Sequence, residues 1–337
     1  MKNVDYAHKM TDRELIVLEK RIEQVYKQAS VDIQSQMDAF FRRFEKKNAE
    51  WLLKIENGQA SVKDYQKWMK GQVFMGKRWK RKADNIATSL YEYNNIAMDM
   101  VNGVLDRVCV NNANYMAYLM EHGESVDFNF ELFDAQTIKA ILKDDSDILP
   151  YKKINKGKDV AWNFTSIKNE VAKGIIKGDS INKIAESLAT SIPNRNMGLL
   201  KTHARTMVNS AHNQGRQLRF EDAKAKGIKL KKRWIATLDA RTRYSHAVLD
   251  GQTVDIEDSF DVEGYEIRFP SDPHAHPALT YNCRCDMGVD IVGYPPEYRR
   301  DNEDGDIIEF MSYKEWYEWK GGDFSELDPR NKARKGG

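Results

Sequence analysis

Proline is absent from the first 149 residues of this chain, and all eight prolines lie at or after Pro150. A proline inside a helix costs about 3 kcal/mol, so its absence favours long uninterrupted helices. Apolar residues recur at three- and four-residue spacing over 15–44 and again over 86–108, which is typical of amphipathic helices. The sequence therefore predicts an extended helical region at the start of the chain.

Cysteine is scarce too, and long apolar runs are missing. The three cysteines, Cys109, Cys283 and Cys285, are odd in number, which argues against a disulfide framework and for a reducing compartment. No segment approaches the roughly 18 apolar residues of a membrane-spanning helix. The first residues lack the apolar run of a secretory signal. We therefore expect no membrane partner and synthesis in the cytoplasm.

Charge of one sign does not dominate the chain. Charged residues make up 31% of it, but the formal net charge is only +2, so any contact with nucleic acid has to come from local patches. Basic groups around an aromatic ring suit phosphate contacts with base stacking, and they also occur on solvated helix faces. One segment fits both interpretations: Lys77, Arg78, Trp79, Lys80, Arg81 and Lys82.

Local signals divide the helical region further. Thr11 and Glu14 have the spacing of a capping box, and the helix that they open is expected to continue to about Ile55. Ser61 and Asp64 predict a second, short helix in the same way. Further helices are predicted over 82–120, 133–142, 159–177, 180–191 and 196–226.

The character of the sequence changes at Gly227. Ile228 and Leu230 alternate with lysines, and strand-like pieces with turns continue to about Val292. We therefore predict an α+β protein, in which a long-helix N-terminal domain precedes a mixed C-terminal domain with a small, mostly antiparallel sheet. The predicted parts are an extended helical domain (1–125), a helical region leading into the next part (126–226), a β-containing part (227–293), and a tail with an acidic stretch, an aromatic helix and a basic end (294–337).

Side chains that bind transition metals are concentrated in one segment of 40 residues: His246, His274, His276, Cys283 and Cys285. Zinc takes four such groups, usually with a Cys-x-x-Cys spacing that is missing here. Two interpretations stay open. Either His246, Cys283 and Cys285 form a structural zinc site with His276 or His274, or the cysteines pack in the core beside His246.

Several enzyme classes lack their motifs. The chain has no Gly-x-x-x-x-Gly-Lys-Ser/Thr loop of an ATP motor and no Pro-Cys-x-x-Cys of a zinc deaminase. A Cys283–His246 protease pair fits poorly because Cys285 stands so close. A metal-dependent nuclease or other hydrolase built on His246 and the His/Cys cluster is the remaining alternative, but no paired carboxylate accompanies it. We therefore expect no enzymatic activity and no certain cofactor.

Two segments carry a specific pattern. Residues 234–251 read WIATLDARTRYSHAVLDG, and residues 270–285 read PSDPHAHPALTYNCRC. In this order, Asp-x-Arg-Thr-Arg-x-x-His, Leu-Asp-Gly and Asn-Cys-Arg-Cys resemble the signature of the phage Mu F-like head-morphogenesis family. The upstream Ala204-Arg205-Thr206 segment fits the helix that precedes this signature. Met207 stands where family members often carry an acidic residue, which weakens any catalytic role for that helix.

The resemblance covers roughly 160–292 and implies a function. It implies a minor head protein of a virion, made in the host cytoplasm and placed inside the capsid near the portal. The implied partners are the portal protein, the major capsid or scaffolding protein, and genome DNA through local basic patches such as 77–82. The implied role is capsid assembly and DNA packaging or delivery. A virion-carried effector released into the host is a further alternative.

Within the signature, Asp239 follows a strand and is expected to cap the N-terminus of a helix. Arg241 and Arg243 are expected to pair with acidic groups such as Asp239 or Asp250. Structural ion networks are more common than catalytic pairs of this kind. We therefore interpret the signature as a structural network of Trp234, Asp239, Arg241, Arg243, His246, Asp250, Gly251, Asn282 and Arg284.

Overall fold

A computed structural model describes residues 6–123, 130–134, 136–138, 140, 149–291, 298–328 and 331. Within these ranges the chain divides into two units that are each discontinuous in sequence. The first unit takes residues 1–16, 103–151 and 202–337 as far as they are described, and the second takes residues 17–102 and 152–201. The basic end of the tail and residues 135, 139, 141 and 142 of the predicted 133–142 helix lie outside the described residues.

Helices dominate the described chain before Gly227. They are α1 (Tyr6–Phe41), α2 (Glu45–Glu56), α3 (Val62–Trp68), α4 (Lys77–Gly123), α5 (Lys156–Lys177) and α6 (Ile181–Ala225). Short helices follow later: α7 (Tyr244–Leu249), α8 (Pro277–Thr280) and α9 (Tyr313–Trp319). None of the helices in the described ranges is both long and apolar enough to cross a bilayer.

The apolar stripes predicted from the sequence form the core of the second unit. Ile33, Met37, Ile86, Leu90 and Ile184 are all buried in one cluster that draws on α1, α4 and α6. Burying each such side chain contributes about 1.5–3 kcal/mol. The long helices are therefore stabilised mainly by packing on one face.

The sheet of the first unit is small and antiparallel. Strand β1 (Leu230–Ile235) lies between β2 (Thr253–Asp255) and β5 (Asp286–Ile291). Two hairpins accompany it, formed by β3 (Phe260–Val262) with β4 (Tyr265–Ile267) and by β6 (Tyr298–Arg300) with β7 (Ile307–Glu309). Fully buried Trp234 and Met287 face each other in the register of β1 and β5. The α+β class is confirmed.

Some predicted helix boundaries are wrong. The chain is already helical at Tyr6, and the Thr11 hydroxyl donates to the Ala7 carbonyl inside α1 instead of capping a new helix. The long first helix is interrupted by a short 3-10 turn at Arg42–Phe44. By contrast, Ser61 and Asp64 form the predicted capping box at the start of α3.

The predicted helices 180–191 and 196–226 are one continuous helix, α6, which passes through Pro193. Proline removes one backbone hydrogen bond and costs about 3 kcal/mol. Leu188, Ile192 and Leu200 are nevertheless buried on either side of it. Their burial, at about 1.5–3 kcal/mol each, outweighs the loss.

Candidate functional site

Three of the predicted metal-binding side chains meet in the first unit. His246 lies on α7, and Cys283 and Cys285 lie just before β5. The His246 Nδ1 is 3.2 Å from the Cys285 Sγ and 3.6 Å from the Cys283 Sγ. All three side chains are buried, and their ligand atoms lie within 4.8 Å of one another. The two cysteines are separated by one residue, and both thiols lie on the side of His246.

The neighbours of the imidazole define where its proton lies. Arg243 Nη2 is 3.0 Å from His246 Nε2, and the Arg243 Nη1 donates to the Tyr281 carbonyl at 2.8 Å. A guanidinium can only donate, so Nε2 accepts and the imidazole proton is assigned to Nδ1, which faces the thiols. The Trp234 ring packs edge-on against His246 with ring centroids 5.6 Å apart. The ring is thus held with Nδ1 towards the sulfur atoms.

The two thiols differ in acidity. Burial alone would raise the pKa of Cys283, but hydrogen bonds from Cys285 and His246 hold it well below its usual value. Burial and the neighbouring Cys283 raise the pKa of Cys285. One sulfur of the pair is therefore the preferred site of negative charge, and the His246 N–H lies beside it.

Asp239 sits at the other side of the same segment. Its Oδ1 accepts from Arg284 Nη2 at 2.7 Å, and Arg284 Nη1 donates to Oδ2. The backbone N–H of Arg241 also donates to Oδ1 at 3.0 Å. The predicted helix cap is wrong, because Asp239 closes a turn and α7 begins only at Tyr244. The expected pairing of Asp239 with Arg241 is present at 3.2 Å.

Asp250 pairs with a residue that sequence reasoning missed. Arg299 Nη1 lies 2.8 Å from its Oδ2, and the backbone N–H groups of Ala236 and Tyr313 donate to the same carboxylate. Neither Arg241 nor Arg243 contacts Asp250 in the hydrogen bonds described above, which corrects that part of the expectation. Arg299 lies far along the chain in β6, and no local pattern indicated it.

Gly251 and Asn282 adopt left-handed backbone conformations. Their φ angles are 79° and 53°. Glycine adopts this region freely, and asparagine tolerates it better than most residues. The two turns explain the residue types in Leu-Asp-Gly and Asn-Cys-Arg-Cys.

A polar face of α6 holds the backbone around the cysteines. The Thr206 hydroxyl accepts from the Asn282 N–H at 3.0 Å. Asn209 and Asn213 both donate to the Cys285 carbonyl, at 3.2 and 3.3 Å. Arg216 donates to the Met287 carbonyl at 3.0 Å. These positions recur every three or four residues, a spacing that could have identified the face in advance.

His276 lies apart from the other ligands. It is exposed, its Nδ1 accepts from the Ala278 N–H at the start of α8, and its ring lies 4.9 Å from that of Tyr265. Neither His276 nor His274 joins the ligand cluster in the described part of the chain. The predicted fourth ligand is therefore not supplied by either histidine.

A second polar cluster lies close by and was not predicted. His212 Nε2 is 2.8 Å from Asp286 Oδ1, and His8 Nδ1 is 3.4 Å from Asp286 Oδ2. Arg216 Nη1 also lies 3.0 Å from Asp286 Oδ1. Burial lowers the pKa of His212. The Arg216 guanidinium competes with any metal cation for the shared Asp286 carboxylate. We therefore interpret this cluster as an internal ion network.

The basic segment 77–82 forms the first turns of α4 in the second unit. Lys77, Arg78, Lys80 and Arg81 are exposed. Trp79 is buried, and its ring packs edge-on against Phe74 at 5.0 Å. The predicted stacking of a base on this tryptophan is therefore excluded, while the basic groups stay accessible.

A pocket of about 140 Å³ opens onto the cysteine–histidine cluster. Three arginines, Arg241, Arg243 and Arg284, contribute to its lining. Its full lining is Thr237, Arg241, Thr242, Arg243, His246, Asn282, Cys283, Arg284 and Cys285. The cluster is thus buried within the protein but reached from one side.

Comparison with known proteins relates most of the chain to phage head proteins. The family described as Phage Mu protein F like protein matches residues 165–288, a range that contains His246, Cys283 and Cys285. The minor head protein GP7 of Bacillus phage SPP1 is 24% identical over 324 residues, which are 95% of this chain and 98% of that protein. No solved structure matches.

A second relative has a different name. An NAD(+)–arginine ADP-ribosyltransferase EFV of Enterococcus faecalis (strain ATCC 700802 / V583) is 34% identical over 167 residues. The match covers 49% of this chain and only 33% of that protein. Two thirds of the transferase therefore have no counterpart in the matched part of this chain.

Proposed function

Because this chain belongs to the phage Mu protein F like family of phage head proteins, we propose that it acts in capsid assembly and in DNA packaging or delivery, inside the capsid and beside the portal protein. The observation that carries the proposal is the nearly end-to-end correspondence with a phage minor head protein, 95% of one chain against 98% of the other. The portal protein is the first proposed partner, and the major capsid or scaffolding protein the second.

Genome DNA is the proposed polyanionic partner, and the start of α4 supports it. Cationic side chains at a helix N-terminus oppose the helix dipole, at about 0.3–1 kcal/mol each. The first turn of α4 contains no acidic residue. Burial and neighbouring Arg78 lower the pKa of Arg43, and burial with Arg43 and Arg81 lowers that of Lys82. Mutual repulsion of this kind is relieved when phosphates bind.

A structural role suits the signature better than catalysis. Asp239 is engaged by Arg284 and Asp250 by Arg299, so neither carboxylate is placed as a general base. A hydrolase built on His246 is the rival. Metal-dependent cleavage of DNA by the purified chain that disappears in His246→Ala would establish the rival and overturn the structural role.

The virion proposal is tested on assembled heads of the phage that encodes the chain. Heads are purified with and without DNA, analysed by mass spectrometry, and reconstructed by cryo-EM without imposed symmetry. We expect the chain in both kinds of head, with its density confined to the portal vertex. Absence from all heads would overturn the proposal, and density spread evenly over the shell would overturn the portal location.

Association with the portal is tested separately with the full chain. The chain and the portal protein of the same genome are co-expressed and co-purified, with the major capsid protein as a comparison. We expect stable association with the portal. Since the first unit draws on both ends of the chain and the second on two separate internal segments, point substitutions are more informative here than truncations.

A further inference from the structure

The cysteine–histidine cluster has the composition of a zinc site. Two thiols and one imidazole face each other in the first unit, and these are the groups that zinc prefers. Both cysteines belong to the hydrophobic core of this unit, and the buried imidazole lies against their sulfur atoms. Cys109, the third cysteine, is also buried but lies apart from the cluster.

The distances agree with a single zinc ion. With zinc–sulfur and zinc–nitrogen bonds of about 2.3 and 2.05 Å, tetrahedral angles place sulfur and nitrogen ligands about 3.6 Å apart. The measured separations between His246 Nδ1 and the two sulfur atoms are 3.2 and 3.6 Å. The two nitrogen–sulfur distances are therefore already close to those of a zinc tetrahedron, and the two sulfur atoms lie within 4.8 Å of each other.

The surrounding contacts hold the ligands in place. The Thr237 hydroxyl donates to the Arg284 carbonyl at 2.8 Å, between the two cysteines. On the far side, Asn209 and Asn213 fix the Cys285 carbonyl. Groups that orient the ligands in this way are typical of metal sites, because they lower the entropy lost on binding.

We propose that His246 Nδ1, Cys283 Sγ and Cys285 Sγ bind one zinc ion, with a solvent molecule as the fourth ligand on the side of the pocket. In the described residues no fourth histidine, cysteine or carboxylate joins the cluster. Three protein ligands with an open fourth position are the arrangement of open zinc sites such as those of zinc enzymes, whereas closed structural sites have four protein ligands. The zinc would cross-link α7 to the segment before β5.

The proton balance of binding is defined. Zinc binds both cysteines as thiolates, so any proton still on a sulfur atom is released to solvent, and the two thiolates neutralise the dication. The imidazole stays neutral, and its proton moves from Nδ1 to Nε2. Arg243 can then no longer donate to Nε2 and has to turn away, while its bond to the Tyr281 carbonyl can persist.

The neighbouring His8–His212–Asp286 cluster is a poorer candidate. Arg216 lies 3.0 Å from the shared carboxylate oxygen and supplies the positive charge there already. One zinc per chain is therefore expected, rather than two. His212 also offers a comparison residue, because it is a buried histidine outside the proposed ligand set.

Metal content of the full chain tests the site. The protein is expressed with zinc in the medium, dialysed against metal-free buffer, and measured by mass spectrometry of the metal. We expect about one zinc per chain. Cys283→Ser, Cys285→Ser and His246→Ala should each lose at least about nine tenths of it, while Cys109→Ala and His212→Gln should retain it.

Cobalt substitution gives a readout that does not depend on any activity. The Co²⁺ form of the chain should show a thiolate charge-transfer band and the intense visible absorption of tetrahedral cobalt. Added azide should change that spectrum if the fourth position is open. An unchanged spectrum would contradict the solvent ligand while leaving the three protein ligands in place.

The outcome that overturns the site is a chain that is folded by circular dichroism, contains no zinc, and reacts with a thiol reagent equally fast with and without added zinc. If Cys109→Ala also lost its zinc, the loss would not be specific to the proposed ligands, and the assignment to Cys283 and Cys285 would be wrong. The proposed role in the phage head is tested on virions, so its failure would not change the zinc measurements.

Discussion

Arg284 and Asp239 form a two-pronged ion pair, in which Arg284 Nη2 lies 2.7 Å from Asp239 Oδ1 while Nη1 donates to Oδ2. Arg284 stands between Cys283 and Cys285, whose sulfur atoms both lie near His246 Nδ1. The ion pair therefore anchors the short segment that carries both cysteines.

The Asp239–Arg284 pair should make folding stability depend on pH. Burial favours the neutral carboxyl, but the hydrogen bonds and charge of Arg284 outweigh it and lower the pKa of Asp239 to about 2. A carboxyl with a depressed folded pKa contributes stability above its unfolded pKa of about 4, and loses it as pH falls towards 2. Urea unfolding should show a loss of about 1–2 kcal/mol between pH 5 and pH 2 from this group.

Asp239→Asn isolates that contribution. The variant should be less stable than the wild type at pH 7, and the difference should shrink as pH approaches 2. Glu266→Gln, at an exposed position on β4, is the control and should not alter the profile. A constant difference between Asp239→Asn and wild type at every pH would refute the electrostatic account.

A close approach of two helices predicts a severe effect at Gly215. A Cβ at this position would lie 2.1 Å from the backbone carbonyl oxygen of Cys109. Backbone cannot yield as a flexible side chain can, so Gly215→Ala should destabilise the protein by about 3 kcal/mol or more. Thermal unfolding monitored by circular dichroism measures this loss.

Gly103→Ala is the matched control for that substitution. Gly103 also lies in a long helix, and a Cβ there would meet nothing within 4 Å. Alanine in a helix interior is favoured over glycine by about 0.5–1 kcal/mol, so this variant should be slightly more stable. Equal stability of the two alanine variants would rule out the close contact.

How far the candidate site could be foreseen depended on sequence separation. Cys283 and Cys285 could be placed on one face because strand residues alternate. Both open interpretations placed His246 beside the cysteines, although 39 residues separate His246 from Cys285, and they differed only in whether zinc joins the three groups. Arg299 could not be foreseen as the partner of Asp250, because the pairing depends on how β6 packs beside the sheet.

The fold was predictable where packing and local signals agree. The apolar stripes of α1 and α4 indicated both the helices and their buried faces. The capping box predicted at Thr11 was wrong, because the Thr11 hydroxyl donates to the Ala7 carbonyl. It also lies 3.2 Å from His212 Nδ1, far along the chain. The prediction for Trp79 was wrong because its basic neighbours in the sequence suggested an exposed ring. In the structure the ring is buried in the hydrophobic core of the second unit.

Arg243 should oppose zinc binding if the proposed proton shift occurs. Its guanidinium donates to His246 Nε2 in the metal-free state but cannot accept the N–H that zinc binding places there. Glutamine can accept that N–H through its carbonyl. At about 0.5–1.5 kcal/mol for one net hydrogen bond, Arg243→Gln should bind zinc about 2- to 10-fold more tightly.

Competition with a chromophoric zinc chelator measures that affinity. Arg243→Met removes the donor without supplying an acceptor, so its gain should be smaller than that of the glutamine variant. A tenfold loss of affinity in Arg243→Gln would show that the arginine supports the metal, and the assigned proton shift would then be wrong.

The start of α4 should bind DNA through phosphates alone. Since Trp79 is buried, binding is expected to be independent of base sequence and strongly weakened by salt. Replacing Lys77, Arg78 and Arg81 with glutamine removes three exposed charges and should lower the slope of log affinity against log salt by about 2–3. Fluorescence anisotropy with a labelled duplex across a salt series measures the slope.

The control replaces three exposed basic residues of α1, Lys20, Arg21 and Lys27, with glutamine. These positions surround Glu23, whose pKa is lowered chiefly by its hydrogen bond to Lys201 and also by Lys20 and Lys27. Lys20 and Lys27 are thus attracted by an acidic neighbour, and the control should keep most of the wild-type slope. An equal loss of slope in both variants would mean that DNA affinity depends on the overall charge of the protein. The start of α4 would then not be a specific binding site for DNA.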